Sequence, residues 1–278
     1  MSQLWRDQIQ VFFAPGRVDL VRSRRGMKPR QVARLTTVFE PAPDLPAWEA
    51  PLEKLDQMIA DAAGTEIAIT ISNHFVRYTV IPPQTKIANP AELNAYAAFH
   101  MREVYGERAA AWVLGVSAWD PCSGAICAAI DRGLLERLEE LTGRRKVRLQ
   151  SIEPYLTAAF DRWCRLFDGE RMWFALIETG RICLASLSSG AWQRVCSQRM
   201  LANAGEELLA MLDQEALLFS GCKEAIEQVH LFAPEHLNLT LPDGCGWQAI
   251  PLQTRSMPAP AHFPSSAMAA SGAESCAA

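Results

Sequence analysis

Residues 11–32 read VFFAPGRVDLVRSRRGMKPRQV, and residues 174–195 read FALIETGRICLASLSSGAWQRV. When Gly16 is aligned with Gly180, an arginine follows the glycine in both segments, and apolar residues alternate behind it. A second glycine recurs at the same offset in both segments. Each segment therefore predicts a β-meander: an apolar strand, a Gly-Arg turn, a second strand, a second glycine turn and a third strand.

Internal duplication explains this repeat better than chance, because the second glycines, Gly26 and Gly190, keep the spacing of the first pair. Hydrophobic positions also agree, and Val18 falls on Ile182 in the same alignment. The chain after each copy continues with helical and strand periodicity. Two such halves predict an α/β protein of two lobes, each of which opens with a β-meander.

Hydrophobic periodicity also predicts how the chain is divided. We expect a first lobe over residues 1–168, which ends just before the second copy of the repeat. An inserted αββ subdomain is predicted near 85–131, from a helical pattern followed by two apolar strands. The second lobe is expected over 169–253, and the Pro-, Ala- and Ser-rich segment 254–278 is expected to be a disordered tail.

Composition argues against several classes of protein. The chain has 278 residues, 49% hydrophobic and 21% charged, with a formal net charge of −4. These values are typical of a globular protein, and the negative charge argues against a dedicated nucleic-acid binder. The sequence contains no charge-free apolar segment of about 18 residues, and we expect no secretory leader and a cytoplasmic protein that does not cross a membrane. Eight cysteines form no CxxC pair and five histidines no HExxH motif, so no zinc site is predicted.

The layout resembles the actin-like ATPase superfamily. In particular, it looks like the cytoplasmic proteins of type IV pilus and type II secretion assembly, which are PilM and the cytoplasmic part of the general secretion pathway L protein. The resemblance rests on the repeated hairpin, on the order of elements between the copies, and on ISNHFVRY at residues 71–78 leading to Ile81-Pro82. It extends to about residue 253 and implies a duplicated actin-like (ribonuclease H-like) fold.

The resemblance also implies a nucleotide cleft between the two glycine turns. In that superfamily each hairpin carries an Asp-x-Gly turn, whose N–H groups surround the phosphates and whose Asp handles a metal ion or the attacking water. Carried over to this chain, the cleft residues are Gly16, Arg17, Glu178, Gly180 and Arg181. The two arginines hold equivalent positions, and they either grip a carboxylate or phosphate or are simply inherited turn residues.

The nucleotide motifs of this chain depart from the superfamily pattern. Ala14-Pro15 stands where the first Asp is expected, and Pro15 has no N–H to offer a phosphate. Glu178 keeps a carboxylate in the second turn on a longer side chain, whereas Ala233-Pro234 replaces the glycine pair expected near an adenosine. We therefore expect no catalytic residue, no metal site and no cofactor, and ATP with Mg²⁺ is the ligand to test for.

For function, the resemblance implies a catalytically inert scaffold or adaptor at the cytoplasmic face of the inner membrane, in a pilus or secretion apparatus. Its expected partner is the cytoplasmic tail of an inner-membrane assembly protein, with an assembly motor as a further partner, and nucleic acid is not expected. Two alternatives stay open. One is a divergent nucleotide-binding protein or phosphotransferase that uses Glu178 and the cleft arginines; the other is a small-molecule-binding protein that keeps the cleft without the chemistry.

Basic side chains crowd the first hairpin. They are Arg17, Arg22, Arg24, Arg25, Lys28, Arg30 and Arg34, with Asp19 as the acidic residue among them. Near an anionic lipid surface each basic residue contributes about 1 kcal/mol, which would support peripheral membrane association. The alternative is a solvated hairpin whose charges protect a sheet edge from pairing with other strands.

Overall fold

The computed structural model describes residues 7–24, 30–40, 44–167, 171–220, 227–236 and 238–253. Three sequence predictions lie outside these residues: the turn at Gly26, the domain boundary at residue 168 and the disordered tail over 254–278. They stay predictions, as does the division into domains that the boundary defines.

Strands, singly or in groups, alternate with helices along the described residues. In the first half they are β1 (Gln8–Ala14), β2 (Arg17–Arg24), β3 (Arg30–Val38), α1 (Glu49–Met58), β4 (Glu66–Ile71), β5 (Val76–Ile81), α2 (Pro90–Tyr105), β6 (Trp112–Val116), β7 (Ala125–Asp131), α3 (Arg132–Arg144), β8 (Arg148–Pro154) and α4 (Tyr155–Trp163). In the second half they are β9 (Arg171–Glu178), β10 (Arg181–Ser188), β11 (Ala191–Arg199), α5 (Ala204–Ser220), β12 (Glu227–Phe232) and β13 (Trp247–Pro251). Among the described helices, none combines the length and the apolar character that a membrane span requires.

Two five-stranded sheets share one topology, which confirms the duplicated α/β fold class. The first has the strand order β3-β2-β1-β4-β8, and the second has the order β11-β10-β9-β12-β13. In each sheet the meander strands pair antiparallel, and the two strands added beside the first meander strand pair parallel. Parallel neighbours need a crossover connection, which α1 and α5 supply at equivalent places after the meanders.

A third, antiparallel sheet of order β5-β7-β6 lies between β4 and α3 in the chain. α2 packs against it through buried side chains that include Met101. This helix begins at Pro90 because Asn89 caps it: the Asn89 Oδ1 accepts the N–H of Glu92 at 3.0 Å, and Glu92 Oε2 accepts the N–H of Ala88 at 2.9 Å. The predicted αββ insertion corresponds to α2, β6 and β7, and its sheet has β5 as a third strand.

The hydrophobic core explains the unbroken apolar run of β9. Phe174 and Leu176 pack in one buried cluster with Phe13 and Ile69 from the first half. The alternate residues of β9, which include Trp173, pack in a second cluster beneath α5. Because successive side chains of a strand point to opposite faces, β9 is covered on both sides. The two halves therefore share a continuous core, on whose edge the two glycine turns lie.

Candidate functional site

The two glycine turns have equivalent positions, between β1 and β2 and between β9 and β10. Gly180 has a φ of 76°, in the left-handed region that favours glycine. Gly16 accepts the N–H of Phe39 at 3.0 Å, and a Cβ at Gly16 would lie 3.2 Å from the Phe39 carbonyl oxygen. Backbone geometry therefore accounts for both glycines without a ligand.

Arg17, directly after the first turn, joins the two halves of the molecule. Its Nε donates to Asp19 Oδ1 at 3.0 Å, and its second terminal nitrogen lies 2.6 Å from Asp19 Oδ2. Its first terminal nitrogen donates to Oε1 of Glu235, which follows β12, at 2.7 Å. The hydrogen bond to Asp19 raises the pKa of Arg17, and the charge of Glu235 acts in the same direction.

Glu235 connects Arg17 to the second glycine turn. Its other oxygen, Oε2, accepts the N–H of Thr179 at 2.8 Å and the Thr179 hydroxyl at 2.5 Å. One carboxylate therefore receives donors from both hairpins. The resemblance stated above implies that the phosphates of a nucleotide would lie at this place between the two turns.

Glu178, the carboxylate expected in the cleft, is buried in contact with Asn73 of the first half. Its Oε2 accepts the backbone N–H of Asn73 at 3.1 Å and the Asn73 Nδ2 at 2.7 Å, and the residue is 5% exposed. Burial raises the pKa of Glu178 to about 7, against the opposing effect of hydrogen bonding from Ser72 and Asn73. No described residue provides a hydrogen bond to its Oε1.

Asn73 links Glu178 to the interior of the first half. It follows β4, and its Oδ1 accepts the hydroxyl of Tyr78 at 2.6 Å and the N–H of Leu156, at the start of α4, at 3.1 Å. The amide of Asn73 thus uses its carbonyl towards the first half and its N–H groups towards Glu178. Three groups, from Tyr78, Leu156 and Glu178, therefore meet at this one side chain.

His74 packs against the second glycine turn. Its Nε2 lies 3.0 Å from the carbonyl oxygen of Thr179, and since a carbonyl only accepts, Nε2 carries the proton in this contact. Burial lowers the pKa of His74, although the contact with Thr179 opposes that effect. The neutral ring therefore supports the Thr179-Gly180 turn.

Arg181, the repeat equivalent of Arg17, has different surroundings. It is half-buried, and a terminal nitrogen donates to the hydroxyl of Ser197 on β11 at 3.1 Å. Burial lowers the pKa of Arg181. Of the predicted cleft residues, Arg17 and the Glu178–Gly180 turn lie together around Glu235. The side chain of Arg181 instead binds Ser197 of its own sheet.

The residues of the cleft do not fit a nucleotide with Mg²⁺. The Thr179 N–H already binds Glu235, and Pro15 has no N–H to add. One oxygen of the Glu178 carboxylate is bound by Asn73, and burial of the side chain favours its neutral form, so the second turn offers a cation only a poor ligand. In the described part of the chain, no group of three or more His, Cys, Asp and Glu side chains could hold a metal ion.

Sequence reasoning missed the residues that complete the cleft: Asn73, His74, Thr179 and Glu235. Two signals could have identified them. The polar run from Ser72 follows a strand of alternating isoleucines, and the carboxyl end of a parallel strand is where sites form in α/β sheets. Glu235 directly follows the segment that replaces the expected glycine pair.

The chain can be compared with known protein families, with curated proteins and with solved structures. No protein-family model matches the chain, and no curated protein matches it. The chain is similar to the cytoplasmic domain of EpsL, an inner membrane component of the type II secretion system of Vibrio cholerae, with a TM-score of 0.58 and 10% identity over 89% of this chain and 90% of that chain. A chain of the PilM-PilN type IV pilus biogenesis complex gives a TM-score of 0.61 and 16% identity over 88% of each chain.

A third similar structure is a Bacteroides thetaiotaomicron protein with an actin-like ATPase fold and unknown function. Its TM-score is 0.57, with 10% identity over 86% of each chain. Together with the duplicated sheet topology, these similarities confirm the resemblance at the level of the fold. The chain has a duplicated actin-like α/β fold and is similar in structure to the EpsL cytoplasmic domain and to a chain of the PilM-PilN complex.

Proposed function

We propose that this chain is an adaptor of a type IV pilus or type II secretion-like assembly, and that it binds a cytoplasmic segment of an inner-membrane protein. In this proposal the chain works in the cytoplasm, at the inner face of the inner membrane. The partner segment docks as an extended peptide in a groove between subdomains, a common mode of peptide recognition. The cleft between the glycine turns serves structure and not hydrolysis.

The proposal rests on one observation: side chains of the protein itself already bind the hydrogen-bond donors of the cleft. Glu235 accepts from Arg17 and from Thr179, and Asn73 binds the carboxylate of Glu178. Among the described residues, Arg17 and Thr179 are therefore not free to form a phosphate cradle, which favours a binding role over a catalytic one. The similarity of fold to the EpsL cytoplasmic domain and to the PilM-PilN complex suggests the kind of assembly.

We propose further that the chain reaches the membrane through its protein partner and not through lipid. Two arginines of the basic hairpin already have carboxylate neighbours: Arg17 binds Glu235 at 2.7 Å, and Arg22 lies 3.5 Å from Asp61 and 4.0 Å from Asp7. These ion pairs favour the solvated hairpin. Vesicles of anionic lipid alone should therefore not sediment the protein.

Capture from native membranes tests the adaptor proposal. The tagged chain is mixed with detergent-solubilised membranes of the source organism, and bound proteins are identified against a tagged protein of equal size and charge. We expect a membrane-spanning protein with a short cytoplasmic segment, and a synthetic peptide of that segment should release the chain. Recovery of no membrane protein above the control would contradict the proposal.

The rival function is a divergent nucleotide-binding protein or phosphotransferase, which would need Glu178 released from Asn73. A thermal melt with and without millimolar ATP and Mg²⁺ separates the two. A nucleotide at about 100 times its dissociation constant adds about 2.7 kcal/mol, which raises the melting temperature by several degrees. We expect no rise, and a clear rise would favour the rival.

A further inference from the structure

Three donors converge on the carboxylate of Glu235. The Arg17 guanidinium lies 2.7 Å from Oε1, and Oε2 accepts the Thr179 N–H at 2.8 Å and the Thr179 hydroxyl at 2.5 Å. A guanidinium, a turn N–H and a hydroxyl form a donor set that also binds small oxyanions such as phosphate. The cleft therefore contains an oxyanion site whose ligand is part of the same chain.

The donors are held in place by contacts that do not involve Glu235. Asp19 accepts a hydrogen bond from Arg17 Nε, and its Oδ2 lies 2.6 Å from the second terminal nitrogen, which orients the guanidinium. The Thr179 turn is shaped by the left-handed backbone of Gly180 and supported by His74 at the Thr179 carbonyl. Removal of the Glu235 side chain should therefore leave the donor set intact.

A tight turn places the Glu235 side chain over these donors. The chain leaves β12 at Ala233-Pro234, and the N–H of His236 donates to the carbonyl oxygen of Ala233 at 3.1 Å. Proline in the second position of such a turn presets its backbone angle, so Glu235 occupies the third position with little freedom. The carboxylate is thus delivered by a local structure, and its contacts extend across the cleft.

We propose that Glu235 is a built-in anionic ligand, which fills an oxyanion site formed by Arg17 and Thr179 and keeps phosphate-containing ligands out of the cleft. With Glu235 present, Arg17 faces two carboxylates, because Asp19 also binds it. Charge repulsion therefore adds to steric exclusion of a phosphate. This inference concerns the cleft alone and does not depend on which partner protein the chain binds.

Titration of inorganic phosphate into a variant tests the inference. Glu235→Ala removes the ligand, and we expect saturable phosphate binding at least tenfold tighter than in the wild type, measured by calorimetry at constant ionic strength. The double variant Arg17→Ala/Glu235→Ala should lose this gain. Glu140→Ala is the matched control, because it removes one exposed carboxylate, paired with Arg137 on α3, far from the cleft.

The inference is overturned if Glu235→Ala binds phosphate no better than Glu140→Ala, or if the double variant binds as well as Glu235→Ala. Melting curves in phosphate are read against Glu140→Ala, because phosphate stabilises folded proteins in general by exclusion from their surface. Should Glu235→Ala not fold, Glu235→Ser is the second variant, because it also removes the carboxylate and leaves the site open. The same tenfold criterion against the wild type then decides the outcome.

Discussion

Glu178 and Glu235 are both carboxylates of the second half, and their surroundings give them different chemistry. Glu178 is buried against Asn73, where no described cation lies within ion-pair distance. Glu235 is partly exposed and binds Arg17 directly. Because a buried, unpaired carboxylate favours its neutral form, Glu178 is a site of proton uptake, while Glu235 acts as a ligand for a cation and two further donors.

Glu178→Gln should remove a pH dependence of folding stability. The folded-state pKa of Glu178 is raised from its ordinary value of 4.5 to about 7, so the folded protein keeps this proton where the unfolded chain has lost it. The contribution of Glu178 to stability is therefore fully present below about pH 4.5 and is lost as pH rises to about 7. The loss amounts to about 3 kcal/mol in the free energy of unfolding.

Urea unfolding of the wild type and Glu178→Gln between pH 5 and pH 8 measures this effect. The wild type should lose stability over this range, whereas the variant should change less and be the more stable of the two at pH 8. Glu140→Gln, at an exposed carboxylate, should follow the wild-type curve. Equal slopes for the wild type and Glu178→Gln would show that Glu178 is ionised in the folded protein throughout.

At the scale of elements, the glycines decide where the hairpins turn and how closely other strands approach. Gly124, in the connection between β6 and β7, has a φ of 75°, and a Cβ there would lie 2.2 Å from the carbonyl oxygen of Ile81. Gly143 lies in α3, and a Cβ at that position would meet no atom within 4 Å. The same residue type is therefore required at one position and replaceable at the other.

The two alanine substitutions should have opposite effects on stability. Gly124→Ala forces a side chain into the backbone of β5 and should lower the free energy of unfolding by about 3 kcal/mol. Gly143→Ala should raise it by about 0.5–1 kcal/mol, because alanine restricts the unfolded chain and favours the helix. Chemical denaturation of both variants checks the pair, and a stable Gly124→Ala protein would contradict the tight approach of this turn to β5.

At the scale of the whole molecule, the two halves are joined by a shared core and by polar contacts at the cleft. Phe174 of β9 packs with Phe13 and Ile69 of the first sheet. The cleft adds Arg17 with Glu235 and the Asn73 contacts with Glu178. Since the core is continuous, neither half can lose its packing without exposing apolar surface of the other.

We therefore expect the protein to unfold in a single cooperative transition. Differential scanning calorimetry should give a calorimetric enthalpy equal to the van't Hoff enthalpy. Phe174→Ala should lower the free energy of unfolding by about 3–5 kcal/mol and shift the whole transition. Leu217→Ala, at a 64% exposed position on α5, should change it by less than about 0.5 kcal/mol. Two transitions, one of them insensitive to Phe174→Ala, would contradict the shared core.

The sequence predicted the features that depend on neighbouring residues, and it did not predict those that depend on contacts between distant parts of the chain. The helix and the two strands expected near 85–131 are α2, β6 and β7. Their signals are local: a helical pattern for the helix and apolar runs for the strands. The pairing of β5 with β7 was not predicted, because periodicity identifies a strand but not its neighbour.

By itself, the sequence determined the duplicated meander, the glycine turns and the missing carboxylate of the first hairpin, because strand periodicity and turn residues act over a few positions. Only the tertiary structure decided which groups meet in the cleft. Asn73 and Glu178 are separated by 105 positions and Arg17 and Glu235 by 218, so their contacts depend on how two sheets pack. The same packing buries Glu178 and brings Glu235 to the donors, and it therefore decides which carboxylate has a raised pKa and which one acts as a ligand.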